Sequence, residues 1–342
     1  MKENMIYGKS VAEYGAAGDG KQDDTSAFEA ALSEENAYVV IPFGHYRITR
    51  VLNVRSGTVI LAHPRAVIRF VGLAAKDAAG IMLSGGIWEN TDPENGATEW
   101  ENVTSVRMED MTVRSDSDTA VALCDVTDAE LRNMTFTSNG SASGVIFAGN
   151  VKDARLKGLR FTGCAAGIEW MSGAQTENVT VGECTAEGCG TMFGAADAVM
   201  KNVRVEKAEG GAACAVSVVG CTLSDVTLRD MVLYDGFIYL CGNNAARLTV
   251  ERVTRDILRD TASAKPTLTI EKTSAALTLD GVTLDAVILS KKSVPDVKMD
   301  AKRMASYLND PTSWRYVTSF TLLPTQCFTL PIGGFSALRF RG

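Results

Sequence analysis

The chain has 342 residues and a formal net charge of −7, and its acidic and basic residues are interleaved. No basic run indicates a surface for nucleic acid or anionic membranes, and no stretch of about 18 apolar residues predicts a membrane span. Only two histidines are present, His45 and His63, which argues against histidine-based catalysis and histidine-rich metal sites. We therefore expect no nucleic acid or membrane partner, no metal and no cofactor.

The eight cysteines lack the C-x-x-C spacing of zinc sites, and most lie among small or apolar residues. We interpret them as buried free thiols that pack like small apolar side chains. Free thiols favour a reducing compartment. We therefore expect a cytoplasmic protein, or a secreted one whose leader has been removed, because the N-terminus lacks a signal-peptide pattern.

The N-terminal segment VAEYGAAGDGKQDDTSAFEAALSEE combines turn glycines with a helix signal. It predicts a helix over about 24–34, with Asp24 or Thr25 as its N-cap. Ser26 and Glu29 have the spacing of a capping box. We expect this helix to cover the first strands, whose unpaired edges would otherwise face water.

From about residue 101 the sequence repeats in units of about two dozen residues. An apolar residue follows a polar break at Met111, Met134, Leu159, Cys184, Ala208, Met231, Val253 and Val282, with spacings of 23, 25, 25, 24, 23, 22 and 29. Short runs such as TAVALC and CAVSVVG, separated by Gly, Asn, Asp and Ser, predict two or three strands per unit. Such units bury their apolar faces by stacking.

These repeats predict an all-β fold, a parallel β-helix. We expect a single β-helix domain over 1–300, with the helix at its N-terminal end. Residues 301–342 leave the repeat and predict a β-rich tail that caps the C-terminal end or joins subunits.

A family resemblance supports this fold. The segments VAEYGAAGDGKQDDTSAFEAAL, YVVIPFGHYRIT and TVILAHPRAVIRF resemble, in order and spacing, the first coils of the pectate-lyase-like superfamily of right-handed parallel β-helices. That superfamily includes polygalacturonase-like glycosidases and phage tailspike depolymerases. The resemblance covers residues 9–72 and continues as repeats to about residue 290. It implies the fold directly, and function only as a class of carbohydrate-active proteins.

The sequence departs from the polygalacturonase pattern where catalytic aspartates are expected. The coil CAAGIEWMSG resembles the family's DDCIAIKSG coil, and on that register Ala165 and Ala166 replace the paired aspartates. In the preceding coil, SASGVIFAGN, Ser143 and Ile146 or Phe147 stand where acids are expected. The resemblance therefore does not carry the polygalacturonase mechanism to this chain.

One acid remains in the row of outward positions on equivalent strands. That row is Ala122, Ile146, Glu169, Phe193, Ser217, and then Ile238 or Tyr239. Glycoside hydrolysis generally uses two carboxylates about 5 to 9.5 Å apart. We therefore expect Glu169 to be the central acid or base, with its partner supplied from elsewhere.

A loop predicted over 84–100 offers partners for Glu169. It contains the acids Glu89, Asp92 and Glu94 beside Trp88 and Trp100. Aromatic rings next to carboxylates suit sugars, whose apolar faces stack while their hydroxyls form hydrogen bonds. We expect the acids to be catalytic and the tryptophans to bind substrate.

Further candidates lie later in the chain. Asp235 is a second candidate acid, and Phe193 and Tyr239 are candidate sugar contacts. Asp118 and Asp197 flank predicted strands, at positions where the family often places functional acids.

The leading functional hypothesis is a glycosidase-like enzyme that cleaves an oligo- or polysaccharide. The alternative is a catalytically silent β-helix, glycan-binding or structural like a tailspike. A polysaccharide lyase, an epimerase or a fructan-type transferase on the same scaffold is a further alternative. The apolar outward row would need a cover, so we expect a homo-oligomer, a trimer, whose neighbouring subunit supplies the missing carboxylate.

Overall fold

The structure is a computed structural model that describes residues 8–92, 96–256, 267–280, 282, 284, 286–289, 296–299 and 320–322. It divides into two units. The first unit comprises Met1–Glu169 and Cys184–Gly190, and the second comprises Trp170–Glu183 and Thr191–Gly342. The chain is a nearly all-β parallel solenoid of about ten turns, so the fold class predicted from the repeats is confirmed.

The N-terminal elements are a strand β1 (Lys9–Ser10), a 3₁₀ helix (Val11–Tyr14), a strand β2 (Asp19–Asp23) and a helix α1 (Thr25–Ala31). Helix α1 is shorter than the predicted span of 24–34, and it buries the side chains of Thr25, Ala27, Phe28 and Ala31. No helix in the described part of the chain is long and apolar enough to cross a membrane.

The predicted capping of α1 is wrong in its details. Asp24 occupies the N-cap position, but its Oδ1 accepts a hydrogen bond from the Ala17 N–H at 2.6 Å and does not cap the helix. Glu29 forms an ion pair with Arg50, at 2.6 Å between Oε2 and Nη2. A capping box with these residue types is present on the 3₁₀ helix, between Ser10 and Glu13.

The first unit contains three parallel sheets. Sheet one contains β1, β3 (Tyr38–Ile41), β6 (Val59–Ala62), β9 (Ala79–Ser84), β12 (Thr104–Glu109), β15 (Thr127–Arg132), β18 (Asn150–Lys152) and β19 (Arg155–Lys157). Sheet two contains β2, β4 (His45–Arg47), β7 (Val67–Phe70), β10 (Ile87–Asn90), β13 (Thr112–Arg114), β16 (Thr135–Thr137), β20 (Arg160–Thr162) and the start of β23 (Thr185–Ala196). Sheet three contains β5 (Leu52–Asn53), β8 (Leu73–Lys76), β11 (Thr98–Glu101), β14 (Thr119–Cys124), β17 (Ser143–Ala148) and β21 (Ala166–Trp170).

The second unit continues the same strand pattern. One sheet contains β22 (Gln175–Gly182), β24 (Val199–Glu206), β26 (Thr222–Leu233), β28 (Asn244–Arg255), β30 (Ser274–Asp280), β32 (Asp296–Met299) and β33 (Phe320–Leu322). The other strands are most of β23, β25 (Glu209–Val219), β27 (Phe237–Cys241), β29 (Thr267–Glu271) and β31 (Ala286–Leu289). Apart from β33, the tail predicted over 301–342 lies outside the described residues.

Strand register confirms the repeat read from the sequence. Thr112 pairs with Thr135, Thr135 with Arg160, and Arg160 with Thr185. Each of these four follows directly after one of the repeat positions Met111, Met134, Leu159 and Cys184, all of which are buried. One coil of the solenoid is therefore one sequence repeat.

Equivalent inward residues of successive coils stack to form the core. The rings of Phe136 and Phe161, on β16 and β20, are stacked with centroids 5.2 Å apart and planes at 12°. Such pairs add about 0.5–1.5 kcal/mol beyond the burial of their area. Trp170 is also buried, and its Nε1 donates to Thr176 Oγ1 at 3.2 Å.

Candidate functional site

The segment 84–100 is not the single loop expected from its sequence, because β10 and β11 lie within it. Trp88 and Trp100 alternate with polar residues on these strands, and both point into the core with exposures of 1% and 0%. Trp88 Nε1 donates to Gly85 O at 2.9 Å. The expectation that these two indoles stack on sugars at the surface is therefore corrected: they are core residues.

Glu89 lies between two arginines on sheet two. Its Oε2 is 3.1 Å from Arg69 Nε and its Oε1 is 2.5 Å from Arg114 Nη1. Both arginines are direct register partners of Glu89 on the neighbouring coils. The carboxylate is thus engaged in an ion-pair ladder, on a different sheet from Glu169.

Glu169 lies on β21 of sheet three and is half-buried. Its Oε2 accepts a hydrogen bond from Ser143 Oγ on the adjacent strand β17, at 2.9 Å. Ser143 is itself only 6% exposed, so the bond holds the carboxylate against the sheet. Ser143 is one of the residues that replace family acids in the sequence comparison, and here it fixes the remaining acid.

A row of outward positions on sheet three leads to Glu169. Register pairs Ala74 with Glu99, Glu99 with Ala122, and Ala122 with Ile146, and Glu169 follows on the next strand. We call these five residues the outer strip. Their side chains are small or apolar except at the two glutamates.

Glu99 is not in the row of outward positions predicted from the sequence, because that row begins one coil later, at Ala122. Glu99 is exposed and lies three strands from Glu169. At the spacing of neighbouring strands, about 4.8 Å, their backbones are roughly 14 Å apart. This exceeds the separation of the two carboxylates in glycosidases, so the two glutamates of the outer strip do not form such a pair.

Polar side chains line the turns that enter sheet three. Their contacts join Asn90 Nδ2 to Ser117 Oγ (2.9 Å), Ser115 Oγ to Ser117 Oγ (3.1 Å), the Asn139 N–H to Asp116 Oδ1 (2.9 Å), Ser141 Oγ to Asp116 O, and the Ser143 N–H to Asp118 O (3.0 Å). We call these residues, together with Asp92, the polar turn stack. It runs beside the outer strip over successive coils and ends at Ser143, which contacts Glu169.

Two acids of the polar turn stack, Asp92 and Asp118, are candidates from the sequence. Asp92, whose N–H donates to Asn90 Oδ1 at 2.9 Å, precedes β11 and is therefore three coils from Glu169. Asp118 is exposed and precedes β14, two strands from Glu169 across the sheet and four residues before Ala122, the member of the outer strip on β14. Ser143 lies between Asp118 and Glu169 and bonds to both residues. The structure thus relates Asp118 to Glu169 more closely than Asp92.

Glu94, the third acid of the predicted loop, lies outside the described residues. Among the residues that the structure does describe, no three His, Cys, Asp or Glu side chains converge on a position that could hold a metal ion.

Phe193, in the second unit, faces inward. It is 2% exposed and lines an apolar cavity with Trp170 and Val216. Both Met192 and Phe193 are buried, so the in–out alternation of β23 breaks at this pair. The expectation that Phe193 contacts sugar at an outward position is corrected for this reason.

Register also decides between Ile238 and Tyr239 for the outward row. Ser217 pairs with Tyr239, whereas Ile238 pairs with Val216 and is buried. With Phe193 and Ile238 in the core, the continuous apolar row that called for a covering subunit is not present. The trimer therefore stays a prediction without that support.

The other two candidates of the second unit have local partners. The Tyr239 hydroxyl donates to Glu271 Oε2 at 3.4 Å, and a hydrogen bond with Cys241 raises the pKa of Tyr239 to about 12. Tyr239 is thus a neutral hydrogen-bond donor at ordinary pH. Asp235 Oδ1 accepts the Gly236 N–H at 2.7 Å within a turn.

Comparison with known proteins gives a family and a fold. A family model described as rhamnogalacturonase A/epimerase, pectate lyase-like, matches residues 9–213. The pre-neck appendage protein of Bacillus phage B103 is 46% identical over 60 residues, which are 18% of this chain and 7% of the phage protein. The match thus spans less than a tenth of the phage protein's length.

Two solved structures share the fold. A mutant tailspike protein of Escherichia coli bacteriophage HK620, in complex with a pentasaccharide, aligns with a TM-score of 0.59 at 12% identity over 93% of this chain and 67% of that one. PfbA, a surface adhesin of Streptococcus pneumoniae, aligns with a TM-score of 0.57 at 13% identity, over 86% and 87%. At such identities they show the fold alone. The appendage protein, the tailspike and the surface adhesin give no support to the cytoplasmic location expected from the cysteines.

Proposed function

Because the chain belongs to the rhamnogalacturonase A/epimerase, pectate-lyase-like family, we propose that it binds an oligo- or polysaccharide along sheet three of the first unit. The observation that carries this proposal is the polar turn stack, which places hydroxyl, amide and carboxylate groups beside the outer strip on successive coils. The tailspike neighbour with a bound pentasaccharide supports the same ligand class.

The chemistry of the two surfaces suits a sugar chain. Sugar hydroxyls both donate and accept hydrogen bonds, and the exposed members of the polar turn stack, Asp116, Asn139 and Ser141, offer both kinds of group. Ala74, Ala122 and Ile146 let the apolar face of a sugar ring approach the sheet closely. Because strands repeat at about 4.8 Å, the same set of contacts recurs along the strip.

Binding is tested with a panel of neutral and acidic oligosaccharides by isothermal titration calorimetry. We expect Ile146→Trp to weaken binding at least 10-fold, because the indole covers the outer strip beside Glu169. Thr135→Trp is the matched control: Thr135 points outward on sheet two, and this variant is expected to bind like the wild type. Equal losses in both variants, or no binding by the wild type, would contradict the proposal.

Hydrolysis is a second candidate function, favoured by the arrangement of Asp118, Ser143 and Glu169. Asp118 and Glu169 lie on strands on either side of Ser143, and inverting glycosidases use two carboxylates with room for a water molecule between them. One carboxyl group would protonate the leaving oxygen while the other removes a proton from the attacking water. Ser143 would act as a positioning residue for Glu169.

Turnover is measured as release of reducing ends, with absorbance at 235 nm recorded in parallel to detect unsaturated lyase products. We expect Glu169→Gln and Asp118→Asn to abolish release while the melting temperature and glycan affinity stay near the wild-type values. Glu89→Gln is the matched control and retains turnover, because Glu89 is engaged by Arg69 and Arg114. Wild-type activity in Glu169→Gln excludes the hydrolytic role, and binding without turnover in the wild type leaves the glycan-binding function.

A further inference from the structure

Two cysteines on neighbouring coils of the first unit lie directly opposite each other. Register pairs Phe161 with Ala186 and Thr162 with Glu187. The ladder continues beyond β20, because the Gly163 N–H donates to Glu187 O at 2.9 Å and the Gly190 N–H donates to Cys164 O at 2.9 Å. Two residues past Thr162 and Glu187, the same register places Cys164 opposite Cys189.

Both thiols lie in a buried environment. Cys164 is 2% exposed and Cys189 is 3% exposed. Each sulfur also lies near a backbone carbonyl two residues earlier, at 3.8 Å from Thr162 O and 3.6 Å from Glu187 O. The hydrogen bond from Cys164 lowers the pKa of Cys189, which favours Cys189 as the attacking thiolate in disulfide exchange.

We propose that Cys164 and Cys189 are a modification site, at which a disulfide links one coil to the next. Directly opposed residues on neighbouring strands have Cα atoms about 4.8 Å apart, which lies within the range of about 4.4–6.8 Å found for disulfides. Both cysteines are free thiols in this structure. The proposal goes beyond glycan binding and does not depend on it.

The reaction needs an oxidant, for which a small-molecule disulfide such as oxidised glutathione suffices. The Cys189 thiolate attacks the glutathione disulfide and releases one glutathione thiolate. Cys164 then attacks the mixed disulfide and releases the second. Two S–H bonds are lost, one S–S bond forms, and two electrons and two protons pass to the two glutathione molecules.

Burial of both sulfurs determines when this reaction occurs. Small-molecule oxidants reach the thiols only while the coil between them is open, so the disulfide forms during folding. Once formed, it closes a loop of one coil, since the cysteines are 25 positions apart. A constraint of this size on the unfolded chain is expected to raise the melting temperature by about 5 °C.

The test refolds the full chain from denaturant, with either oxidised glutathione or a reducing agent, and maps its peptides by mass spectrometry without reduction. Cleavage by trypsin and Glu-C separates the cysteines: Phe161–Glu169 carries Cys164, Cys184–Glu187 carries Cys184, and Gly188–Lys201 carries Cys189. We expect a disulfide-linked pair of Phe161–Glu169 with Gly188–Lys201 after oxidative refolding. This measurement needs no variant.

Single substitutions then test whether the gain in stability comes from the disulfide between Cys164 and Cys189. Cys164→Ala and Cys189→Ala are expected to lose the difference in melting temperature between oxidised and reduced protein. Cys124→Ala is the matched control: Cys124 is a half-buried thiol of the same unit, and this variant should keep the difference. The proposal is overturned if both thiols remain alkylatable after oxidative refolding, or if either is linked to another cysteine.

Discussion

Asp23 shows how a single carboxylate can join two coils. Its Oδ1 accepts the Thr25 N–H at 3.0 Å and also the Thr25 hydroxyl, and its Oδ2 accepts the Thr49 hydroxyl at 2.7 Å. These bonds, above all that from the Thr25 hydroxyl, lower the pKa of Asp23 to about 2. The ionised form therefore holds the start of α1 against the next coil.

The lowered pKa predicts a pH-dependent contribution to stability. Since the folded state favours the ionised form, the contribution is present above the ordinary pKa of 3.8 and is lost as pH falls toward about 2. We expect Asp23→Asn to melt at a lower temperature than the wild type at pH 6, and the gap to close between about pH 4 and pH 2. Thermal unfolding followed by circular dichroism checks this, and a gap that stays constant from pH 2 to pH 7 contradicts it.

Single residues also show what sequence alone supports at the candidate site. The outward position of Glu169 follows from the repeat, because alternation and coil length together fix which side chains share a row. The hydrogen bond from Ser143 does not follow, since it depends on the path of the turn before β17. The prediction that Phe193 points outward was wrong for a similar reason, because the inward–outward alternation of β23 breaks at the preceding residue.

Strands β10 and β11 were not predicted from the sequence, because they are short and lie in a segment rich in turn-forming residues. Trp88 pairs with Val113 and Trp100 pairs with Leu123, 25 and 23 residues later, which is one coil in each case. Extending the repeat one coil toward the N-terminus would have placed both tryptophans in the core. Of the polar residues between them, Glu89 and Asn90 belong to β10 and Glu99 to β11.

The turn before β10 provides a prediction about backbone conformation. Gly85 has φ of +78°, and a Cβ added there would lie 2.2 Å from Ala62 O on the preceding coil. Gly188 has φ of +63°, but a Cβ there would meet nothing within 4 Å. We expect Gly188→Ala to cost about 1 kcal/mol through backbone strain alone. Gly85→Ala should cost about 3 kcal/mol or more, because a carbonyl must also move.

Urea unfolding of the two glycine variants separates these effects. Both residues have left-handed backbone conformations in the first unit, so Gly188→Ala serves as the control for strain without a clash. Equal destabilisation by the two substitutions would show that the close approach of Ala62 does not matter.

At the scale of the whole molecule, the fold was predictable because the described coils repeat the same pattern of strands and turns. A strand pattern repeated at about two dozen residues has one efficient way to bury its apolar face, and the register confirms it. The proposed binding face was harder to predict, because outward residues of all three sheets follow the same alternation. Sheet three differs in its turns, where Ser115, Ser117 and Ser143 are buried polar residues.

Ion pairs on the surface join each coil to its immediate neighbour. Examples are Glu109 with Arg132, Glu177 with Lys201, and Glu206 with Arg229. Exposed pairs of this kind contribute about 0–1 kcal/mol each, so the core supplies most of the stability. Their span of 23 or 24 residues is one coil, so each of these pairs joins a coil to the adjacent one.

This joining of each coil to the adjacent one has an evolutionary consequence. Duplication or loss of one whole coil preserves every type of contact, so such a protein can change length in steps of one repeat without a new core. Each added coil in the first unit would lengthen the outer strip by one strand spacing, about 4.8 Å. Under the proposed function, a longer outer strip would bind a longer glycan. Duplication of coils would therefore change the length of glycan that is bound without any substitution in the site.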